Sequence, residues 1–264
     1  MSELRMVVCM KVVPKPEEIR VDPESHRLMR EGARSEFNPP DMNALELALS
    51  IKDKTEGHIS VLSMGPPFVA DYLRIGLAMG ADDATLLTDI AFAGADTLAT
   101  TYTLARGIEK IGFPSIIFTG EESSDGATGQ VPPGLAEWLD LPLISLVRSI
   151  ELDLGGGVIQ GRREVEGGYE LLEVTMPAVI SVSTASNEPR FMDYERKPWA
   201  FEKADVTKWN ADDLNADPEL IGVPGSPTIV TGLDQAATQD RKKIFLEGDS
   251  SEIAEQLVRI LRTK

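Results

Sequence analysis

One feature constrains the fold of this chain more than any other: short apolar runs alternate with segments of helical spacing. The runs lie at residues 6–13 (MVVCMKVV), 58–63 (HISVLS), 84–87 (ATLL) and 115–119 (SIIFT). Runs this short and this apolar suit strands buried on both faces. Between them, Leu45, Ala48 and Leu49, then Leu73, Leu77 and Ala78, then Leu98, Tyr102, Ala105 and Ile108 fall on single helix faces. Asp41 and Asp96 stand where N-caps belong, and Gly80 stands where a C-cap glycine belongs. A further helix is expected after the Gly120 turn, running through Trp138. Parallel strands need crossover connections, so the alternation predicts an α/β fold: a mostly parallel sheet with helices on both faces.

The pattern changes after Leu141. Residues 143–152, 158–165 and 169–174 read as strands joined by glycine turns at 155–157 and 167–168, that is, as β-hairpins. Residues 178–182 return to the core. Before the first helix, an irregular arm carries Pro14, Pro16 and Pro23. Residues 187–230 show no periodicity and read as an extended C-terminal arm. A polar linker at 234–241 follows, then an amphipathic helix at 249–261, capped by Ser250 or Ser251, with Ile253, Leu257, Ile260 and Leu261 in one stripe. The expected division is a nucleotide-binding α/β domain over 1–190, an arm over 191–231, and a linker with terminal helix over 232–264.

Charge and cysteine usage narrow the function. A formal net charge of −17 disfavours nucleic acid and anionic membranes, which lysine and arginine would have to hold. It suits a basic protein face. The single cysteine, Cys9, precludes an internal disulfide and fits a reducing compartment. The N-terminus lacks a signal-peptide pattern, and no apolar run reaches membrane-span length, so the expected location is cytoplasmic. Two histidines and one cysteine do not make an ordinary zinc site, and neither His26 nor His58 has an evident catalytic partner. No catalytic side chain and no metal are expected.

Two small-residue turns carry the chemistry. Residues 91–101 read AFAGADTLATT, and residues 120–131 read GEESSDGATGQV. Each precedes a helix, where backbone N–H groups and the helix dipole favour anions. A lone cluster of this kind is an ordinary turn; two of them, one βα unit apart, point to a nucleotide beyond the carboxyl ends of the strands. Thr97, Thr100, Ser123, Ser124 and Thr128 offer hydroxyls. Asp96, Glu121, Glu122 and Asp125 crowd the same region, so a phosphate there is expected to rest on N–H groups and hydroxyls rather than on nearby lysine or arginine.

From residue 4 to about 198 the chain carries V-x-x-K-x-V around Lys11, Asn38-Pro39, LAMGAD at 77–82, and the G-x-x-x-x-D-x-x-x-x-Q spacing of Gly120, Asp125 and Gln130. Arg163 and Glu164 before Gly167, MPAV at 176–179, and Asn187, Glu188, Pro189 and Arg190 follow in order. The resemblance these motifs carry is to the β subunit of electron transfer flavoproteins. It implies a Rossmann-like domain paired with an FAD-carrying α subunit, exchanging electrons with acyl-CoA or other dehydrogenases. By position, it implies a nucleotide site at Cys9, Asn38, Pro39, Pro40, Asp41 and Met64. The site continues through Gly120, Glu121, Glu122, Ser123, Ser124, Asp125, Gly126, Ala127, Thr128, Gly129, Gln130 and Val131. Arg163 and Glu164 are implied to lie toward the α-subunit flavin. Residues 187–190 are implied to begin the loop that docks dehydrogenases, with Tyr194 at its apolar anchor position. The basic stretch that follows in many members is replaced here by RKPW at 196–199.

Ordinary members hold a structural AMP in this subunit, whereas electron-bifurcating members hold a second FAD. The chain resembles the second group at 94–100 (GADTLAT) and 222–228 (GVPGSPT). FAD brings a second phosphate and a ribityl-flavin, and the helix start at Asp96 is a second anion-holding turn, so Asp96, Thr97 and Thr100 join the implied site. That reading implies NADH as reductant and ferredoxin and the α-flavin as the two acceptors; AMP remains the alternative. One departure from both groups is acidic: Glu121 and Glu122 stand where a basic residue and glutamine are common.

Overall fold

A computed structural model describes residues 3–15, 20–21, 28–29, 34–228 and 244–262. The readings made at Pro16, Pro23 and His26, at residues 229–230 of the arm and in the 234–241 linker lie outside the described residues. Among the described residues, no helix is long and apolar enough to cross a membrane.

In chain order the strands are β1 (Arg5–Cys9), β2 (Val12–Pro14), β3 (Arg20–Val21), β4 (Leu28–Met29), β5 (Ser35–Phe37), β6 (His58–Met64) and β7 (Asp83–Leu87). They continue as β8 (Ile116–Gly120), β9 (Leu143–Asp153), β10 (Val158–Val165), β11 (Gly168–Thr175), β12 (Ala178–Val182) and β13 (Thr207–Trp209). The helices are α1 (Pro39–Thr55), α2 (Val69–Met79), α3 (Thr97–Ile111), α4 (Val131–Leu139), α5 (Arg196–Glu202) and α6 (Ser250–Arg262).

Nine strands form one sheet in the order β11-β10-β9-β12-β8-β1-β6-β7-β13. From β9 to β13 every neighbouring pair is parallel, and β10 and β11 complete the sheet as antiparallel strands. The sheet is therefore α/β and mostly parallel, with an antiparallel hairpin extension. The alternation of side chains along β1 shows why both faces need helices. Met6 and Val8 enter one core with Leu45, Leu49, Leu73 and Leu77 of α1 and α2. Val7 and Cys9 enter the other with Leu104, Ile108, Leu135 and Leu139 of α3 and α4.

Three local readings change. The run at 6–13 is two strands: β1 ends at Cys9, and β2 pairs with β5 in a separate small sheet. Helix α1 starts at Pro39, two residues before the expected cap, because two prolines fill positions whose N–H groups have no helical partner; Asp41 lies inside the first turn. Helix α6 is capped by Asp249, whose carboxylate accepts from the Ser251 and Glu252 amides at 2.9 and 3.0 Å, rather than by a serine.

The C-terminal arm also holds more structure than its lack of periodicity suggested. Helix α5 and strand β13 are too short, at seven and three residues, to show a period. Ala200, Ala204 and Val206 nevertheless join the α1/α2 core, and Leu214 and Ile221 join the α3/α4 core.

Candidate functional site

Strand order in the sheet reverses at β1: the chain runs from β1 to β6 and β7 on one side, then returns to place β8 on the other. A crevice beyond the carboxyl ends of such strands is where open α/β sheets bind ligands. The ends of β1 and β8 are Cys9 and Gly120.

Asp41 ties these two ends together. Its Oδ2 accepts the Lys11 amide at 2.7 Å and its Oδ1 accepts the Gly120 amide at 3.1 Å. The approach is close enough to require glycine: a Cβ on residue 120 would meet Asp41 Oδ1 at 2.4 Å and Pro40 Cβ at 2.6 Å. Burial outweighs these hydrogen bonds and raises the Asp41 carboxyl to about 7. Burial, together with the nearby Asp41 carboxylate, pushes the Cys9 thiol far above its ordinary range, so Cys9 is an inert part of the wall.

Asn38, at the N-cap of α1, does not cap the helix with its side chain. It grips the next turn instead: Nδ2 donates to the Glu122 carbonyl at 2.8 Å, and Oδ1 accepts the Ser124 amide at 3.0 Å. Lys11 reaches the same turn, its Nζ lying 2.6 Å from Asp125 Oδ1 and 3.4 Å from Ser123 Oγ. No lysine or arginine neighbours this turn in sequence; the fold supplies one from just beyond β1. Met64, at the end of β6, packs half-buried on the α3/α4 core.

The second turn opens α3. Asp96 caps it as expected, with Oδ1 accepting the Leu98 and Ala99 amides at 2.9 and 3.1 Å. Its Oδ2 takes the Thr228 amide at 3.0 Å and hydroxyl at 2.6 Å, and its own amide donates to Ser226 Oγ at 2.8 Å. Burial acts to raise this carboxyl, but the Thr228, Ala99 and Leu98 donors together hold it below the usual carboxylate range. The 222–228 segment thus lies across the start of α3, and Gly222 is as tight as Gly120: a Cβ there would fall 2.1 Å from the Ala91 carbonyl oxygen.

The two turns meet. Thr97 Oγ1 and Thr128 Oγ1 are 3.4 Å apart, and Thr128 Oγ1 also accepts the Gln130 amide at 3.3 Å. Behind them, α3 and α4 pack closely: a Cβ on Gly134 would sit 2.7 Å from Thr101 Cγ2. Ala127 and Gly129 both take positive φ, at 46° and 60°, and residues 126–130 are exposed. Thr100 is half-buried one turn into α3.

Of the acids that crowd the region, Glu122 is exposed and the others are turned to structural use. Glu121 Oε1 accepts the Thr184 amide and hydroxyl at 3.2 and 2.8 Å, Asp125 pairs with Lys11, and Asp96 and Asp41 are engaged as above. Ser226 and Thr228 lie in the 222–228 motif, but their contact with Asp96 spans 130 residues or more, and nothing local marks Thr184 as the partner of Glu121.

The remaining candidates lie elsewhere. Arg163, on β10, donates to Glu170 at 2.7 Å and Ser145 at 3.0 Å, and Glu164 pairs with Arg148 at 2.6 Å. Asn187 is locked to Asn43: its Nδ2 donates to the Asn43 carbonyl at 3.0 Å, and Asn43 Nδ2 donates to the Asn187 carbonyl at 2.7 Å. Glu188 and Pro189 are exposed between this pair and Arg190. Arg190 holds Glu46 through two nitrogens, at 2.8 and 2.9 Å, and Asp53 at 2.8 Å, and these carboxylates raise its pKa further. Beyond this anchor, Phe191 and Tyr194 are 96% and 90% exposed. The chain is fixed again at Arg196, whose guanidinium donates to the Leu77 and Ala81 carbonyls at the end of α2.

Comparison with known proteins agrees with this architecture. The electron transfer flavoprotein domain family model matches residues 26–214. The electron transfer flavoprotein subunit beta of Clostridium acetobutylicum is 46% identical over 227 residues, 86% of each chain. The caffeyl-CoA reductase-Etf complex subunit CarD of Acetobacterium woodii is 38% identical over 99% of each chain. Protein FixA of Azorhizobium caulinodans is 40% identical over 97% of this chain and 92% of its own.

Proposed function

The chain belongs to the electron transfer flavoprotein family, among its β subunits, and on that premise we propose that it binds FAD across the paired turns at 94–100 and 120–131 and serves flavin-based electron bifurcation with an α subunit. Its role in electron transfer follows from the family. The FAD, the bifurcation and the identity of the dehydrogenase are our reading.

The observation that carries the reading is the meeting of Thr97 and Thr128 at 3.4 Å, which makes one polar surface of the two turns. The donor set fits a dinucleotide. Thr97, Thr100, Ser123, Ser124 and Thr128 bring hydroxyls; Asp41, Asp96 and Glu121 are bound to backbone or hydroxyl donors and Asp125 to Lys11, while Glu122 is exposed. When bound, FAD supplies the one- and two-electron chemistry; the protein supplies position and field. Asn38 and Asp41 hold the 120–131 turn, and Asp96 fastens the 222–228 segment over the other. In this proposal Arg163 and Glu164 lie toward the α-subunit flavin. NADH is the reductant, with a ferredoxin-type acceptor and the α-flavin each receiving one electron. Phe191 and Tyr194 dock the dehydrogenase. The name of one relative, a subunit of a caffeyl-CoA reductase-Etf complex, supports a partner that works on an acyl-CoA.

A structural AMP is the second reading, and one observation favours it. The Leu98 and Ala99 amides at the start of α3 are satisfied by Asp96, so this helix end needs no phosphate to complete it. Cofactor content separates the two. The purified αβ complex is denatured, and FAD and AMP are quantified per heterodimer. Two FAD and no AMP supports the first reading; one of each overturns it in favour of the second.

A further inference from the structure

Tyr194 is 90% exposed, so its own packing does not fix where it points. The backbone around it is fixed by Asp193. Asp193 Oδ1 accepts the Glu195 amide at 2.7 Å and the Arg196 amide at 3.1 Å. The Asp193 carbonyl accepts the Lys197 amide at 3.0 Å, and its own amide donates to the Ala78 carbonyl at 2.9 Å, near the end of α2. Tyr194 is thus the residue enclosed by a closed turn. In effect Asp193 caps α5 from the turn before it, taking two amides that have no helical partner.

Helix α5 is bolted down by other groups. Arg196 donates to the Leu77 and Ala81 carbonyls at 3.2 and 2.7 Å, and Arg74 of α2 donates to the Ala200 and Ala204 carbonyls at 2.9 and 2.6 Å. Ala200 is fully buried. These contacts hold the body of the helix, but seven residues are too few for its first turn to persist unaided. The Asp193 carboxylate supplies what the first turn lacks. It sets the backbone of residue 194 and with it the direction of the Tyr194 Cα–Cβ bond. Without that carboxylate the Glu195 and Arg196 amides turn to water, while the two arginines keep α5 on α2.

We propose that Asp193 is a positioning residue that pre-forms the turn presenting Tyr194, so that a docking partner meets an aromatic ring whose backbone is already ordered. Less conformational entropy is then lost on docking. The proposal rests on the reading of Tyr194 as a docking anchor. Its mechanism needs an acceptor oxygen at 193 and not a charge, so asparagine should replace aspartate while alanine should not.

The test is a double-mutant cycle on the whole αβ complex, with an acyl-CoA dehydrogenase as the electron-exchange partner. Asp193→Ala is expected to raise the KM for the dehydrogenase about threefold at an unchanged maximal rate. Asp193→Asn should match the wild type. In the Tyr194→Ala background, Asp193→Ala should add nothing, because the ring it positions is gone. Hydrogen–deuterium exchange on the complex without dehydrogenase should show faster exchange at the Glu195 and Arg196 amides in Asp193→Ala and not in Asp193→Asn. The positioning role is overturned if Asp193→Ala raises the KM equally with and without Tyr194, or if Asp193→Asn is as impaired as Asp193→Ala. It is also overturned if Asp193→Ala leaves the KM unchanged while Tyr194→Ala raises it. A wild type that exchanges no electrons with the dehydrogenase, or a wild-type KM in Tyr194→Ala, overturns the docking reading itself, and the proposal with it.

Discussion

Thr228 Oγ1 stands 2.6 Å from Asp96 Oδ2, while the other oxygen of the same carboxylate caps α3. One side chain therefore starts a helix and pins a segment 132 residues further along the chain. The two tasks can be separated. Thr228→Val removes the hydroxyl donor and leaves the cap, so it should loosen the 222–228 segment with little change in melting temperature. Asp96→Ala loses both, and the cap alone is worth about 0.5–2 kcal/mol. Limited proteolysis near 222–228 and thermal melting check the pair. Equal melting losses in both variants would sink the separation.

Gly120→Ala should be among the more damaging single changes in the domain. The added methyl meets Asp41 Oδ1 at 2.4 Å and the Pro40 backbone carbon at 2.7 Å, and both are held by α1. Overpacking of this kind costs about 1–3 kcal/mol. The expected outcome is a lower denaturant midpoint and loss of retained nucleotide on purification; wild-type values for both would mean that α1 can slide.

Asp41 predicts a pH dependence of definite sign. Burial raises its carboxyl from 3.8 to about 7, so between those values the folded chain holds a proton that the unfolded chain releases. The stabilising contribution is complete below 3.8 and is lost as pH rises toward 7. Above about 7 both states are ionised and the dependence flattens. Asp41→Asn has no such proton. The stability of the wild type relative to Asp41→Asn, measured by urea titration at a series of pH values, should therefore fall from pH 4 to pH 7. A constant difference would refute the buried, protonated carboxyl.

Phe191 and Tyr194 bury almost nothing, so their loss should leave folding within about 0.5 kcal/mol of the wild type. If they are docking anchors, truncating either to alanine should raise the KM for the partner dehydrogenase about tenfold, the cost of a modest hot spot. Steady-state electron transfer at varied dehydrogenase concentration gives the answer. An unchanged KM in the double variant would remove this segment from the docking surface.

What the sequence revealed was mostly local. Asp96 was legible as a cap because the cap, the helix start and the apolar face sit within a few residues of one another. Gly80 and the hairpin glycines were legible for the same reason. Asp41 looked identical to Asp96 in its neighbourhood, yet its carboxylate serves an amide 79 residues away, and no short-range pattern records that. Lys11 and Asp125 meet across 114 residues, which is why a basic group at the turn escaped notice. Strand β13 was illegible for a different reason: three residues are too few for a period, and its place is set by the neighbouring strand rather than by its own composition.

That short strand has a consequence for how the molecule survives in a crowded solution. β13 pairs with β7 through Thr207, Lys208 and Trp209, and without it the row of amides and carbonyls along β7 would be left open to other chains. The same stretch of polypeptide that displays Phe191 and Tyr194 goes on to cover this edge with a strand of three residues. A mutation that peels the stretch away would therefore do two kinds of harm at once, weakening partner recognition and baring a template for self-association. Selection for one trait would tend to preserve the other.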